Sequence, residues 1–206
     1  MSNVIAGERL PIEWGAAGSA LEMESGDLHV VVPFAHGALV ALMDGLGHGP
    51  EAAAASAAAV PILRAFGGLS LFTLMEQCHE ALHKTRGVAM TLAAFDARNA
   101  TMSWMGVGNV DGVLLRADDD HEHRSEAIAL RGGVVGYRLP ALKERALPVS
   151  RGDTLIMATD GIRSGFTAGL SVQLGVQEIA ESVLARFAKG TDDAHVVVAR
   201  YLGVDR

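Results

Sequence analysis

The chain has 206 residues, half of them hydrophobic and a fifth charged, enough apolar material for one well-cored domain and too much for a disordered chain. A formal net charge of −7 argues against a nucleic-acid binder, which needs a basic face, but leaves phosphate chemistry open wherever divalent cations supply positive charge. No apolar run reaches the ~18 residues that span a bilayer, and MSNVIAGERLPIEWG lacks the pattern of a secretory signal, so a cytoplasmic protein without membrane contact is expected.

Residues 10–22 read as a Gly- and Ala-rich strand. The apolar runs 27–33 and 37–43 form a hairpin that turns through Phe34 to Gly37. In an antiparallel pair the end of one strand lies beside the start of its neighbour, so this hairpin places Asp27 next to Asp44. Pro50 suits the first turn of a helix, where its missing N–H has no partner to lose. EAAAASAAAVPILRAF then continues as a helix apolar almost all round and therefore buried. Pro61 is expected to kink that helix or end its first half.

After Gly67-Gly68 a second helix is expected over 70–86. It carries Cys78, a lone thiol that cannot form an internal disulfide and reads as a small buried hydrophobe in a reducing compartment. Strands follow in VAMTLAAFDA, TMSWMGVGN and VDGVLLRA, then a hydrophilic loop, DDDHEHR, and a strand at 126–131. An apolar strand at 153–159, a helix at 175–188 and a strand at 194–202 complete the chain. Antiparallel strands with helices in two batches make an α+β protein, which two facing sheets with helices outside would satisfy.

Four aspartates stand where these strands start or stop: Asp27 opens GDLHVVVPF, Asp44 closes ALVALMDG, Asp160 closes DTLIMATDG and Asp192 opens DDAHVVVAR. Singly, each is an ordinary turn or loop acid, Asp-Gly being a common turn dipeptide. Together they gather carboxylates with no Lys or Arg nearby, which is costly unless a cation neutralises them. That pattern points to a metal cluster.

SGD at 25–27, MDGLGHG at 43–49, AMT at 89–91, GVGN at 106–109, ATDGI at 158–162 and TDDAHVVV at 191–198 occur in that order. Together they resemble the PP2C class of metal-dependent protein serine/threonine phosphatases, in the bacterial branch that includes SpoIIE- and RsbX-type enzymes. The resemblance implies a four-layer αββα sandwich over residues 1–206. It also implies that Asp44 bridges two divalent cations and that the Gly45 carbonyl helps to hold one of them. Asp27 would support the second cation, while Asp160 and Asp192 would bind the first. Asp193 follows where the wider family often has Asn, and is read as a supporting or alternative ligand. Oxygen-only ligands suit Mn²⁺ or Mg²⁺ rather than zinc.

Such a bimetal site activates a water in line with the P–O bond, so no side-chain nucleophile is needed. His48 is the candidate acid for the leaving oxygen, although the wider family has its histidine where Leu46 stands. The arginine that eukaryotic members place ahead of the first acidic motif is missing from GSALEMESGD, and Arg163 is the nearest substitute, or else a surface residue. Thr91 and Asn109 match small polar positions of the family and are read as supporting ligands or waters, or simply as satisfied polar groups in a sheet. His121 and His123 read as parts of a solvated turn.

The substrates implied by the resemblance are phosphoserine or phosphothreonine on regulatory proteins of partner-switching pathways, of the STAS-domain stressosome or anti-sigma antagonist type. With neither a sensor domain nor a membrane segment, the chain is most similar to the RsbX-type group. The alternatives are a non-catalytic binding module of the same fold, or a metallohydrolase of small phosphoesters.

Overall fold

The structure, a computed structural model, describes residues 10–117 and 125–203; DDDHEHR, with His121 and His123, lies outside them. The elements in chain order are β1 (Ile12–Ser19), β2 (Asp27–Phe34), β3 (Gly37–Gly45), α1 (Pro50–Phe66), α2 (Leu71–Leu82), β4 (Val88–Asp96) and β5 (Thr101–Val107). There follow β6 (Asp111–Leu115), β7 (Ser125–Ala127), β8 (Arg145–Pro148), β9 (Thr154–Ala158), α3 (Val176–Phe187) and β10 (Ala194–Tyr201).

Two five-stranded sheets result, one ordered β1-β10-β9-β6-β7 and the other β2-β3-β4-β5-β8, with every neighbouring pair antiparallel. The alternation of side chains along β3 shows why they stack. Leu39, Ala41 and Met43 pack with Ala59, Leu63, Leu74 and Cys78 of the α1–α2 layer. Ala38, Val40 and Leu42 face the other way, onto Leu155, Met157, Val197 and Ala199 of the second sheet. On that sheet's outer face, Ile156, Val196 and Val198 pack with Ile179, Ala180 and Val183 of α3. The four layers are helices, sheet, sheet, helix. A strand such as β3, buried on both faces, must be apolar throughout, which is why it reads as an unbroken apolar run.

Several boundaries differ from those expected. Helix α1 runs through Pro61 as one element. Pro61 lies on the exposed side between buried Ala59 and Leu63, and exposed Ala57, the residue whose carbonyl loses its bond, lies toward solvent. Helix α2 stops at Leu82 rather than at 86, because the Thr85 hydroxyl donates to the Leu82 carbonyl (2.8 Å) and accepts from Gly87 N–H (3.0 Å), turning the chain into β4. The strand expected at 126–131 shortens to β7, since the chain crosses there from one sheet to the other: Ile128 N–H bonds Gly112 O, and Arg131 N–H bonds Gly106 O. Strand β8 was not expected, being short, largely exposed and closed by a proline.

The small residues of α1 have a steric cause. A Cβ on Gly45 would lie 2.2 Å from Ala52 O, and one on Gly26 would lie 2.9 Å from the Ala52 side chain. The helix therefore presses directly on the ends of β2 and β3. Among the described residues no helix is long and apolar enough to cross a membrane.

Candidate metal centre

The register of the first hairpin places Asp27 directly opposite Asp44. Strands β9 and β10 pair Val196 with Ala158, which brings Asp160, just past the end of β9, beside Asp192 and Asp193, just before the start of β10. The approach is close: a Cβ on Gly161 would stand 1.8 Å from Asp193 O. Each sheet thus contributes a pair of acidic chain ends.

The Thr159 hydroxyl joins the two sheets. It donates to Asp27 Oδ2 at 2.7 Å and accepts from the His195 N–H at 2.9 Å. Sequence reasoning passed over Thr159; its signal was a hydroxyl just past the apolar run LIMA, immediately before a candidate ligand. Asn109 donates to Asp160 Oδ2 at 2.7 Å and fixes that carboxylate. Thr91 instead gives its hydroxyl to Val110 O at 2.7 Å, tying β4 to the turn that carries Asn109, and so serves the sheet.

Asp193 behaves differently from its neighbour. Its two oxygens accept the N–H groups of Leu21 and Gly26, each at 2.7 Å, and it is buried. It clamps the segment leading into β2. Gly26 is held from three sides, because its carbonyl also accepts from Gly45 N–H (3.1 Å) and from the buried Ser56 hydroxyl of α1 (2.5 Å). Asp192 is exposed, and its Oδ1 accepts from the adjacent Asp193 N–H.

Electrostatics single out the hairpin pair. Burial raises the Asp27 carboxyl to about 7 even though the Thr159 hydrogen bond opposes the shift, with Asp193, Asp160 and Asp192 adding to it. Burial likewise raises Asp44 to about 8, with further contributions from Asp27, Asp160, Asp192 and Asp193. The charged groups that raise both are carboxylates. Among the described residues no three acid, histidine or cysteine side chains are close enough together to hold an ion as they stand.

Behind Asp27, His29 and His195 lie with Nδ1 and Nε2 2.8 Å apart, and burial lowers both pKa values. His48 is exposed and its Nδ1 lies 2.7 Å from Glu22 Oε1. Arg163 donates to Arg186 O at 2.6 Å and fastens the chain after Asp160-Gly161 to the end of α3.

This arrangement of two antiparallel sheets between helices is the fold of the PP2C class of protein serine/threonine phosphatases, the class to which the chain is assigned. The chain belongs to the Stage II sporulation protein E (SpoIIE) family, whose model matches residues 35–202. Among solved structures it is similar to a chain from work on the bacterial stressosome as a modular system adapted to control secondary messenger signalling, with 27% identity over 92% of this chain and 99% of that one, and a TM-score of 0.82. It is similar to RsbX in complex with magnesium (20% identity, 92% and 94% covered, TM-score 0.81). It also matches the PPM Ser-Thr phosphatase MsPP from Mycobacterium smegmatis in complex with cacodylate (17% identity, 93% and 98% covered, TM-score 0.69). No curated protein matches the chain at a significant level.

Proposed function

We propose that the chain is a metal-dependent phosphatase of the cytoplasm that removes phosphate from serine or threonine of regulatory proteins in a partner-switching or stressosome pathway, STAS-domain proteins among them. One observation carries the reading: Asp27 and Asp44 face each other across a hairpin with their carboxyls pushed to about 7 and about 8 by burial and by further carboxylates. A pair of acids held this way is poorly stable when ionised and becomes favourable once cations bind.

The donor set fits that group. It consists of carboxylates plus the Gly45 carbonyl, the oxygen-only chemistry of Mg²⁺ or Mn²⁺. Asp44 and Gly45 O would hold ions together with Asp27 on one side and Asp160 and Asp192 on the other. When bound, two such ions supply positive charge for phosphate oxygens and lower the pKa of a water for in-line attack.

The chain's own residues do the positioning. Thr159 orients Asp27, Asn109 orients Asp160, and Asp193 holds Gly26 so that the peptide before Asp27 stays hydrogen-bonded to Gly45. Glu22 holds His48 at Nδ1, which makes Nε2 the nitrogen available to protonate the leaving oxygen. Similarity to RsbX and to the stressosome-related chain supports a regulatory phosphoprotein as substrate. The test is incubation with a serine-phosphorylated STAS-domain protein and Mn²⁺. Loss of the phosphate within minutes is expected, and unchanged phosphorylation over hours counts against the proposal.

A further inference from the structure

At the mouth of the carboxylate cluster, two short segments meet and display apolar side chains to solvent. Residues 20–26 lead into Asp27, and residues 46–49 follow directly from Asp44 and Gly45. Met23 is 99% exposed, Leu21 48% and Leu46 38%. The first segment is held at both ends, since buried Asp193 accepts the N–H of Leu21 and of Gly26 at 2.7 Å each. The second is tied to the first by His48 on Glu22 at 2.7 Å, and Glu22 lies so near Gly49 that a Cβ there would stand 3.0 Å from its Oε2. Leu46 is fixed in turn by its N–H on Gly87 O at 3.1 Å.

Exposed apolar side chains on a loop gain nothing for folding, and a solvated loop tip is ordinarily polar. Here they sit on a braced rim, beside the one place where a phosphorylated residue would have to enter. We infer that Leu21, Met23 and Leu46 form a docking rim for the folded surface of the phosphoprotein substrate, gripping an apolar patch next to its phosphorylated residue. This rests on the proposed phosphatase reading and names what that site selects: a protein surface, not a free phosphoester.

Position argues for that occupant. A macromolecule presenting phosphate to Asp44 must cover the residues two and three positions beyond it, and the strand-entry segment braced against them. The flanking charge narrows its chemistry. Glu22 and Glu24 border Met23, so the complementary patch is apolar and bordered by basic or neutral residues rather than acids. A small aryl phosphate or a short unfolded phosphopeptide reaches the carboxylates without covering the rim.

The experiment compares wild type with the double variant Leu21→Ser/Met23→Ser on three Mn²⁺-supported substrates. These are a folded serine-phosphorylated STAS-domain protein, a peptide of about a dozen residues around the same phosphoserine, and an aryl phosphate. Wild type is expected to show a KM for the folded protein about tenfold below that for the peptide. The double variant is expected to lose this advantage while its kcat, its aryl phosphate constants and its thermal unfolding stay unchanged, and Met23→Leu is expected to retain it.

An unchanged KM for the folded protein in the double variant, with wild type active on it, overturns the docking rim and leaves the phosphatase reading standing. Wild type that hydrolyses the aryl phosphate but not the phosphoprotein overturns both. If the double substitution instead converts a dimer to a monomer with no change in KM, the rim binds a second copy of this chain and the inference falls.

Discussion

Strand β9 runs between two acidic places that treat a carboxylate in opposite ways. Just before it, Asp153 is buried, and its oxygens accept from Arg116 (2.8 Å) and from the N–H groups of Ala117 (2.9 Å) and Ser150 (3.0 Å). Arg116 also pairs with Glu126, which pairs with Arg145, so acid and base alternate. Just after β9, the cluster of Asp160, Asp27, Asp44 and Asp192 has side-chain hydroxyl and amide donors on two members, and like charges act on the hairpin pair. One end is neutralised from within the chain. At the other, no Lys or Arg among the described residues pairs with these acids, which suits the proposed binding of external cations.

The contrast is testable, beginning with its largest consequence. Asp44→Asn should lower phosphatase turnover on the order of a thousandfold with the fold intact, because a neutral amide cannot hold two cations. Turnover near wild type at saturating Mn²⁺ would break the comparison at its functional end. At the other end, Arg116→Ala strands buried Asp153 and should cost about 3 kcal/mol of stability in urea unfolding, with the metal requirement unchanged. A shift in the Mn²⁺ titration of that variant would mean the two ends are not independent.

Two smaller effects sharpen the picture. Thr159→Val and Asn109→Ala each remove one hydrogen bond to a proposed ligand and should weaken Mn²⁺ affinity by about tenfold, with less effect on turnover at saturating metal. Equal loss of turnover at every Mn²⁺ concentration would assign them another role.

The last effect is on pH. In the fold, Asp27 and Asp44 keep their protons to about 7 and about 8, against an ordinary value of 3.8. The native state therefore binds more protons than the unfolded chain across that window, and stability falls as pH rises through it. His29 and His195 act oppositely: burial lowers both, His195 to about 4 with His29 adding to the shift, so their contribution grows with pH and is complete just above their ordinary 6.5. From there to about 8, Asp27 and Asp44 still lose their stabilising protons. Metal-free protein should lose stability over that interval, and saturating Mn²⁺ should flatten the curve.

Much of this was legible in the chain. The pairing of Asp27 with Asp44 follows from two apolar runs separated by a short turn, because a tight antiparallel hairpin sets the start of its first strand beside the end of its second. The layered order follows from runs such as ALVALM, apolar at every position because both faces are buried. What was not legible depends on contacts between distant parts of the chain. Nothing local distinguishes Asp192 from Asp193; only the N–H groups of Leu21 and Gly26 make the second a clamp. Thr159 is a strand hydroxyl until β2 is placed against it. Helix α1 ran unbroken through Pro61 and α2 ended early for local reasons that propensity understates: a proline on a solvent face, and a threonine that caps early.

The most direct measurement is a calorimetric titration of Mn²⁺ into metal-free wild type and Asp44→Asn. Two ions bound per chain by wild type, with binding lost or severely weakened in the variant, is the predicted result. Absence of Mn²⁺ binding by wild type, or an identical isotherm for the variant, would contradict an acid cluster organised around Asp27 and Asp44 to hold cations.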